Sequence, residues 1–362
     1  MLPVSAAAML RRRLRPARPR RRRFAGLVLG LLLGAGLPAA AQQPPAGDEE
    51  EAAVVEQARV LRQVSASVVG VRALAAPDAA SSESLGQVRQ GSGVVIDAQG
   101  LVLTIGYLVL EADKVDLLLP DGRALPGRVV AYDLATGFAL VQPVVPVQLV
   151  PAPLGQSGGL DTEEPYVIAT GGPDGAMSVA QVVSQRPFSG YWEYHVEDAI
   201  FTVPPRPDHS GAGLFNARGE LLGIGSLFVM EALGPGRHQP GNMFVPVDLY
   251  KAVQDELRRH GASRRSTRAW LGAHCVDHQG LVRVVRVQAG SPAEAAGLQP
   301  GDVILKLDGE PVGRLEAFYR RLWSDPRAER EVTLEVGRGA GLLTLTARTA
   351  DRMKTLRRAR GI

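Results

Sequence analysis

Between residues 67 and 250 the chain is a series of short apolar runs cut by turn signals: Asp97-Ala98-Gln99-Gly100, Pro120-Asp121-Gly122 and Asn216-Ala217-Arg218-Gly219. Runs of this length, closed by Asp, Asn, Pro and Gly, are strands and hairpins, so this region is all-β. The pattern fits a double barrel, although periodicity alone describes a sandwich equally well. A chain of 362 residues, 45% of them hydrophobic, can bury more than one core, so two folded domains are expected. Its single cysteine, Cys275, excludes an intrachain disulfide. Cys275 reads as a small strand residue, since no catalytic-cysteine motif surrounds it.

Residues 1–41 are set aside from the fold. Nine arginines between positions 11 and 23 make a basic start, residues 24–37 an apolar core of signal-peptide length, and Ala39-Ala40-Ala41 a small-residue cleavage site. Export to the periplasm by the general secretory route is the expectation. Arg21-Arg22-Arg23-Phe24 gives only a faint match to a twin-arginine signal. A leader left uncleaved would anchor the chain in the membrane, facing the periplasm. Losing nine arginines and no acids turns the formal charge of +4 into −5, so the basic character belongs to the leader and gives no case for nucleic-acid binding.

Residues 42–53 are rich in proline and acid and read as a flexible spacer, followed by helical spacing of apolar residues over 54–64. The first domain spans 54–250. Residues 248–260 look helical, and 251–268 as a whole form a helix and a basic, polar linker. The second domain, 269–350, carries a sharper signal. Ser291-Pro292-Ala293-Glu294-Ala295-Ala296-Gly297-Leu298 places serine at an N-cap, proline at the first helical position, glutamate three residues after the cap and glycine at the end. Gly301-Asp302-Val303-Ile304-Leu305-Lys306-Leu307-Asp308-Gly309 follows as a strand closing on an Asp-Gly turn. These blocks resemble the PDZ signature of HtrA-type proteins. Residues 351–362 form a basic tail.

The first domain resembles the same family, the HtrA/Deg trypsin-fold proteases, through three ordered blocks. Residues 91–104, Gly-Ser-Gly-Val-Val-Ile-Asp-Ala-Gln-Gly-Leu-Val-Leu-Thr, are similar to the hairpin that leads into the family's Thr-Asn-x-His-Val. Residues 129–140, with Asp121-Gly122-Arg123 before them, are similar to the block ending in Thr-Asp-Leu-Ala-Leu. Residues 210–224 are similar to Gly-Asn-Ser-Gly-Gly-Pro-Leu and the strand pair after it. The resemblance implies a mainly β fold: a chymotrypsin/trypsin-like double β-barrel followed by a small α/β PDZ domain. It also places the nucleophile at Ser210, with Tyr107 where the catalytic histidine belongs, Gly137 in place of the aspartate, and Asp208 in place of the glycine that lends its N–H to the oxyanion hole.

A serine hydroxyl is a weak nucleophile near neutral pH and needs a base, itself oriented by an acid. Loss of triad members costs on the order of 10⁴ to 10⁶ in turnover, and the remainder depends on the oxyanion hole and on binding. Asp208 opposes that hole both by its shape and by its charge. Three replacements for the base come to mind. His209 adjoins Ser210, but neighbouring side chains in an extended loop point apart. His195 lies in Trp192-Glu193-Tyr194-His195-Val196-Glu197, an alternating run that reads as a strand face. Tyr107 could hydrogen-bond Ser210, but a phenol of pKa about 10 is a poor base.

An activity independent of the triad would reside in the PDZ groove. By the resemblance, Ala269-Trp270-Leu271-Gly272-Ala273 matches the carboxylate-binding loop, with the N–H groups of Trp270, Leu271 and Gly272 meeting a peptide's carboxylate and residues 271–276 pairing with it as a strand. Residues 314–323 supply a helical wall, and Leu315, Phe318 and Leu322, at helical spacing, line a pocket or simply pack the core. The tail ends in Ile362, an apolar terminus of the kind such grooves accept. The resulting expectation is an exported pseudoprotease that binds polypeptides or protein C-termini, needs no cofactor or metal, and serves envelope protein quality control or the regulation of a partner. A serine endopeptidase with a non-standard base is the rival. The resemblance also implies a homotrimer, for which no contact residue is identifiable.

Overall fold

The computed structural model describes residues 46–357, with side chains from residue 51 onward. The leader (1–41) and Ile362 lie outside the described residues, and among these no helix is long and apolar enough to cross a membrane. The first helix, α1 (Ala46–Ala66), begins within the stretch expected to be a flexible spacer. Glu51, Ala52 and Ala53 are good helix formers, which outweighs the prolines just upstream. Its Val60 and Val64 are buried, while Val54 and Val55 are exposed.

Two closed barrels follow. β1 (Val68–Ala75), β2 (Val88–Val95), β3 (Val102–Ile105), β4 (Ala112–Leu118), β5 (Ala124–Tyr132) and β6 (Phe138–Pro143) close in the order β1-β2-β3-β6-β5-β4. A one-turn helix, α2 (Ser82–Leu85), lies between β1 and β2. β7 (Pro165–Ala169), β8 (Met177–Gly190), β9 (Tyr194–Val203), β10 (Gly213–Phe215), β11 (Leu221–Val229) and β12 (Gly241–Pro246) close in the order β10-β11-β12-β9-β8-β7. Closure removes the sheet edges and buries Leu103, Leu117, Phe138 and Leu140 in the first barrel and Ile168, Phe201, Phe215 and Phe244 in the second.

The turn signals act as their chemistry requires. Asp97 Oδ1 accepts from the N–H groups of Gln99 and Leu101, Asp121 Oδ1 from Arg123 N, and Asn216 Oδ1 from Arg218 N and Glu220 N. Each side chain replaces a backbone partner that the reversal takes away.

After the barrels come α3 (Val247–Lys251) and α4 (Gln254–His260), two short helices where one was expected, divided at Ala252 and Val253. The polar segment that follows is no slack linker. Its Ser263 and Ser266 are buried and, with Thr136, donate to the fully buried carboxylate of Asp133 on the first barrel. Backbone N–H groups of Ser263 and Thr136 complete the cage. A buried carboxylate is tolerable only when its lone pairs are filled in this way.

The C-terminal domain has β13 (Ala269–Trp270), β14 (Ala273–His278), β15 (Leu281–Val287), α5 (Pro292–Ala295), β16 (Val303–Leu307), β17 (Glu310–Pro311), α6 (Leu315–Leu322), β18 (Glu331–Arg338), β19 (Gly341–Arg348), β20 (Ala350–Asp351) and α7 (Arg352–Thr355). Its main sheet runs β14-β15-β16-β18-β19, with β17 on β16 and a separate β13-β20 pair. The cap signal is realised: Ser291 Oγ accepts from Glu294 N. Glu294 reaches back to Gly290 N rather than to the cap residue itself. Asp308 and Gly309 both have positive φ, the conformation a tight two-residue hairpin turn asks for. Cys275 is buried in this domain's core.

Candidate functional site

Ser210 sits in the turn before β10, at the contact between the barrels, where its carbonyl accepts from Ser92 N on β2. Tyr107 comes from the short 3-10 turn that follows β3. Its hydroxyl oxygen lies 2.7 Å from Ser210 Oγ and 2.7 Å from the carbonyl oxygen of Ser226. The carbonyl can only accept, so the single phenolic proton goes to Ser226 O, and Ser210 must donate its own proton to the phenol oxygen. Burial pushes the Tyr107 phenol up to about 12, against the opposing effect of its hydrogen bond to Ser210. At that value the phenolate is far too scarce near neutrality to act as a base.

Gly137 adopts φ +80, and a Cβ added there would lie 2.7 Å from the Tyr194 hydroxyl. That hydroxyl donates to Thr136 O, and Tyr194 is buried. A side chain at position 137 would therefore meet a phenol ring and a backbone conformation that L side chains resist. Asp208 is not among the described non-glycine residues with positive φ, so its backbone conformation does not call for glycine. Its carboxylate is clamped by the Arg206 guanidinium, at 2.9 and 2.5 Å. Partial burial opposes that charge, yet the hydrogen bonds and charge of Arg206 hold the carboxyl below its ordinary range.

The other candidate bases are engaged elsewhere. His209 places Nδ1 2.9 Å from Arg206 O. His195 sits on β9, with Nδ1 2.9 Å from Ser189 Oγ and Nε2 3.1 Å from Glu197. Among the described residues no histidine nitrogen is a hydrogen-bond partner of Ser210.

The second expected site is assembled differently from the reading of its residues. The loop amides that hold a carboxylate are those of Leu271, Gly272 and Ala273, one residue further on than expected. Trp270 instead pairs with Ala350 and lies under the Arg352 guanidinium, 4.8 Å from its ring centroid. Gly272 has φ +77, and a Cβ there would lie 2.4 Å from Ser291 Cβ, so this bend requires glycine. Leu315, Phe318 and Leu322 are all buried in the domain core. Residue 362, the suggested groove ligand, lies outside the described residues. The tail leading toward it is fastened to the first barrel, where Arg357 N donates to Glu111 and its guanidinium pairs with Asp78.

The carboxylate held by that loop belongs to Glu193, in the turn between β8 and β9. Nothing in the sequence singled it out, because the run from Trp192 to Glu197 reads as one strand, whereas residues 191–193 are a turn. Burial pushes the Glu193 carboxyl upward, opposed by the three N–H donors and the charge of Arg352. Arg268, also missed, is buried beside it: it donates to Leu134 O and Glu193 O and lies 3.7 Å over the Trp323 ring. Burial lowers the Arg268 guanidinium to about 10, with the charge of Glu193 acting in the opposite sense.

Two six-stranded barrels with a serine loop between them, followed by a sheet with a glycine-bearing carboxylate loop and a flanking helix, define a trypsin-fold chain with a PDZ domain. Residues 91–224 match the trypsin-like peptidase domain and residues 269–349 the PDZ domain. The chain is 30% identical to a putative serine protease, HhoA, of Synechocystis sp., over 72% of its own length and 71% of that protein. It is 31% identical to a probable periplasmic serine endoprotease, DegP-like, of Hahella chejuensis, over 62% of its length, and spans about half (49%) of that relative. The fold is similar to that of the HtrA-type protease AlgW with tripeptide, at TM-score 0.52 and 22% identity, covering 83% of this chain and 97% of AlgW. The chain belongs to the HtrA family of trypsin-fold proteins with a C-terminal PDZ domain.

Proposed function

We propose that this is an exported, non-catalytic HtrA protein, a pseudoprotease whose barrels act as scaffold and whose PDZ domain binds polypeptides or protein C-termini. Its work is envelope protein quality control or the regulation of a partner. The observation that carries this reading is the partner of Ser210: a half-buried phenol, not an imidazole, is hydrogen-bonded to its hydroxyl. Gly137 in the acid's position and the Arg206-clamped Asp208 in the oxyanion glycine's position support it. The periplasmic names of the DegP-like relatives and the tripeptide of the AlgW structure support the location and the ligand class. A homotrimeric assembly belongs to the same proposal, and light scattering of the exported chain tests it.

A second reading, a serine endopeptidase using Ser210 with a non-standard base, is favoured by the retained Ser210 and by the names of the relatives. The discriminating experiment incubates the protein and Ser210→Ala with an unfolded substrate. The proposal expects no cleavage by either and equal suppression of substrate aggregation. Cleavage that disappears in Ser210→Ala establishes the second reading.

A further inference from the structure

We infer that the turn at residues 191–193 is a built-in occupant of the PDZ groove, so that external chain termini bind only by displacing the Glu193 carboxylate. This rests on the reading of that groove as a peptide site.

The contacts of the turn reproduce those of a terminal peptide. Glu193 Oε2 accepts from Leu271 N at 3.0 Å, and Oε1 accepts from Gly272 N at 2.6 Å and Ala273 N at 2.9 Å. A glutamate side chain presents the same planar two-oxygen anion as a free chain end, and three converging backbone amides are how such an end is captured. The main chain before it continues the imitation. Cys275 N on β14 donates to Tyr191 O at 3.0 Å, which is a strand-addition contact two residues beyond the last carboxylate donor. The helix side closes the groove: Tyr319 on α6 accepts from Glu193 N at 3.0 Å and donates to Gly190 O at 2.8 Å. The turn is thus gripped between β14 and α6, and the Tyr191 ring lies against His274.

A general domain contact would not need this particular geometry. Glu193 has φ 59, a conformation that is unfavourable for a residue with a Cβ and persists only where surrounding contacts over-determine it. The residue is only 6% exposed. Both costs are met where the carboxylate fills the loop. Release of the turn would expose the loop amides and the face of β14 together, which is the set of groups a terminal peptide uses.

The test uses the full chain lacking residues 1–41, in wild-type, Glu193→Gly and Glu193→Gln forms. Glycine removes the carboxylate and also relieves the positive φ, so this variant is expected to fold, and thermal denaturation checks that it does. Glutamine keeps the shape and removes the charge. The probes are fluorescein-labelled decapeptides ending in Val, Ile, Leu or Phe, with a free α-carboxylate or an amidated end, followed by fluorescence anisotropy. Hydrogen exchange of the Leu271, Gly272 and Ala273 amides is measured in parallel.

The expected result is weak binding by wild type, at least tenfold tighter binding of free-acid peptides by Glu193→Gly, an intermediate gain for Glu193→Gln, and no gain for amidated peptides. The three amides should exchange at least tenfold faster in Glu193→Gly. Equal, tight binding by wild type and Glu193→Gly, with unchanged exchange, overturns the inference and leaves the peptide-site reading intact. Faster exchange without peptide binding by any form overturns the peptide-site reading, and with it displacement by chain termini, while keeping Glu193 as the loop's occupant. Unchanged exchange without binding overturns both.

Discussion

The serine loop and the PDZ carboxylate loop are both filled by the protein's own side chains, but in chemically different ways. At Ser210 the proposed reading has the working groups replaced: the neighbour of the hydroxyl is the Tyr107 phenol, Gly137 packs against Tyr194, and the Asp208 carboxylate is clamped by Arg206. At the PDZ loop the three amide donors are present, and the Glu193 carboxylate satisfies them. A rearrangement of a turn could free the second site. On the proposed reading, no such rearrangement supplies the first with a base. The two are also neighbours, because Glu193 fills the PDZ loop and Tyr194, the next residue, lies against Gly137.

The largest expected effect comes from the element that ties the two regions together. Asp133→Ala leaves Ser263, Ser266 and Thr136 without their shared acceptor, so a loss of about 3–5 kcal/mol is expected in denaturant unfolding. A loss below about 1 kcal/mol would mean that the linker is not pinned as described.

Next, the serine site should resist repair. Gly137→Asp meets both the positive φ and the Tyr194 hydroxyl, so a destabilisation of about 2–4 kcal/mol is expected. Tyr107→His, Gly137→Asp and Asp208→Gly combined should therefore remain at background in a peptidase assay. Activity in that triple variant would show that the site is closer to a working triad than its packing indicates.

Smaller again is Tyr107→Phe, which removes two hydrogen bonds without opening a cavity and should cost about 1–2 kcal/mol, with no change in proteolysis. The smallest effect is expected at the rim of the interface. Arg320 grips both Glu197 oxygens at 2.8 Å, but both partners are exposed. Arg320→Ala should change stability by less than about 1 kcal/mol, and a larger loss would move weight from the Glu193 contacts to the rim.

Local chemistry was legible in the sequence, and tertiary approach was not. The Asp97, Asp121 and Asn216 turns and the Ser291 cap depend on partners within four residues, and each forms as its residue types require. Tyr107, Gly137 and Asp208 are singled out only through the order of the family blocks, and of these three Tyr107 alone has a side-chain hydrogen bond to Ser210 in the structure. Glu193 was invisible because its partners lie 78 to 80 residues away and its turn hides inside an alternating pattern. By its polarity the segment from Gly261 to Arg268 reads as a linker. Its serines are buried because one carboxylate, Asp133, needs them. Polar composition reports exposure only when no buried charge is waiting for donors.

The central claim, that Ser210 is chemically idle, is tested most directly by covalent labelling with a serine-directed phosphonate from pH 7 to 10, with the adduct mapped by mass spectrometry. With the Tyr107 phenol held at about 12, only on the order of 1 molecule in 10⁴ carries phenolate near pH 8. The account predicts labelling of wild type equal to that of Ser210→Ala at every pH in that range. An adduct on Ser210 at neutral pH would contradict it, and one that grows about tenfold per pH unit and is lost in Tyr107→Phe would identify Tyr107 as the base.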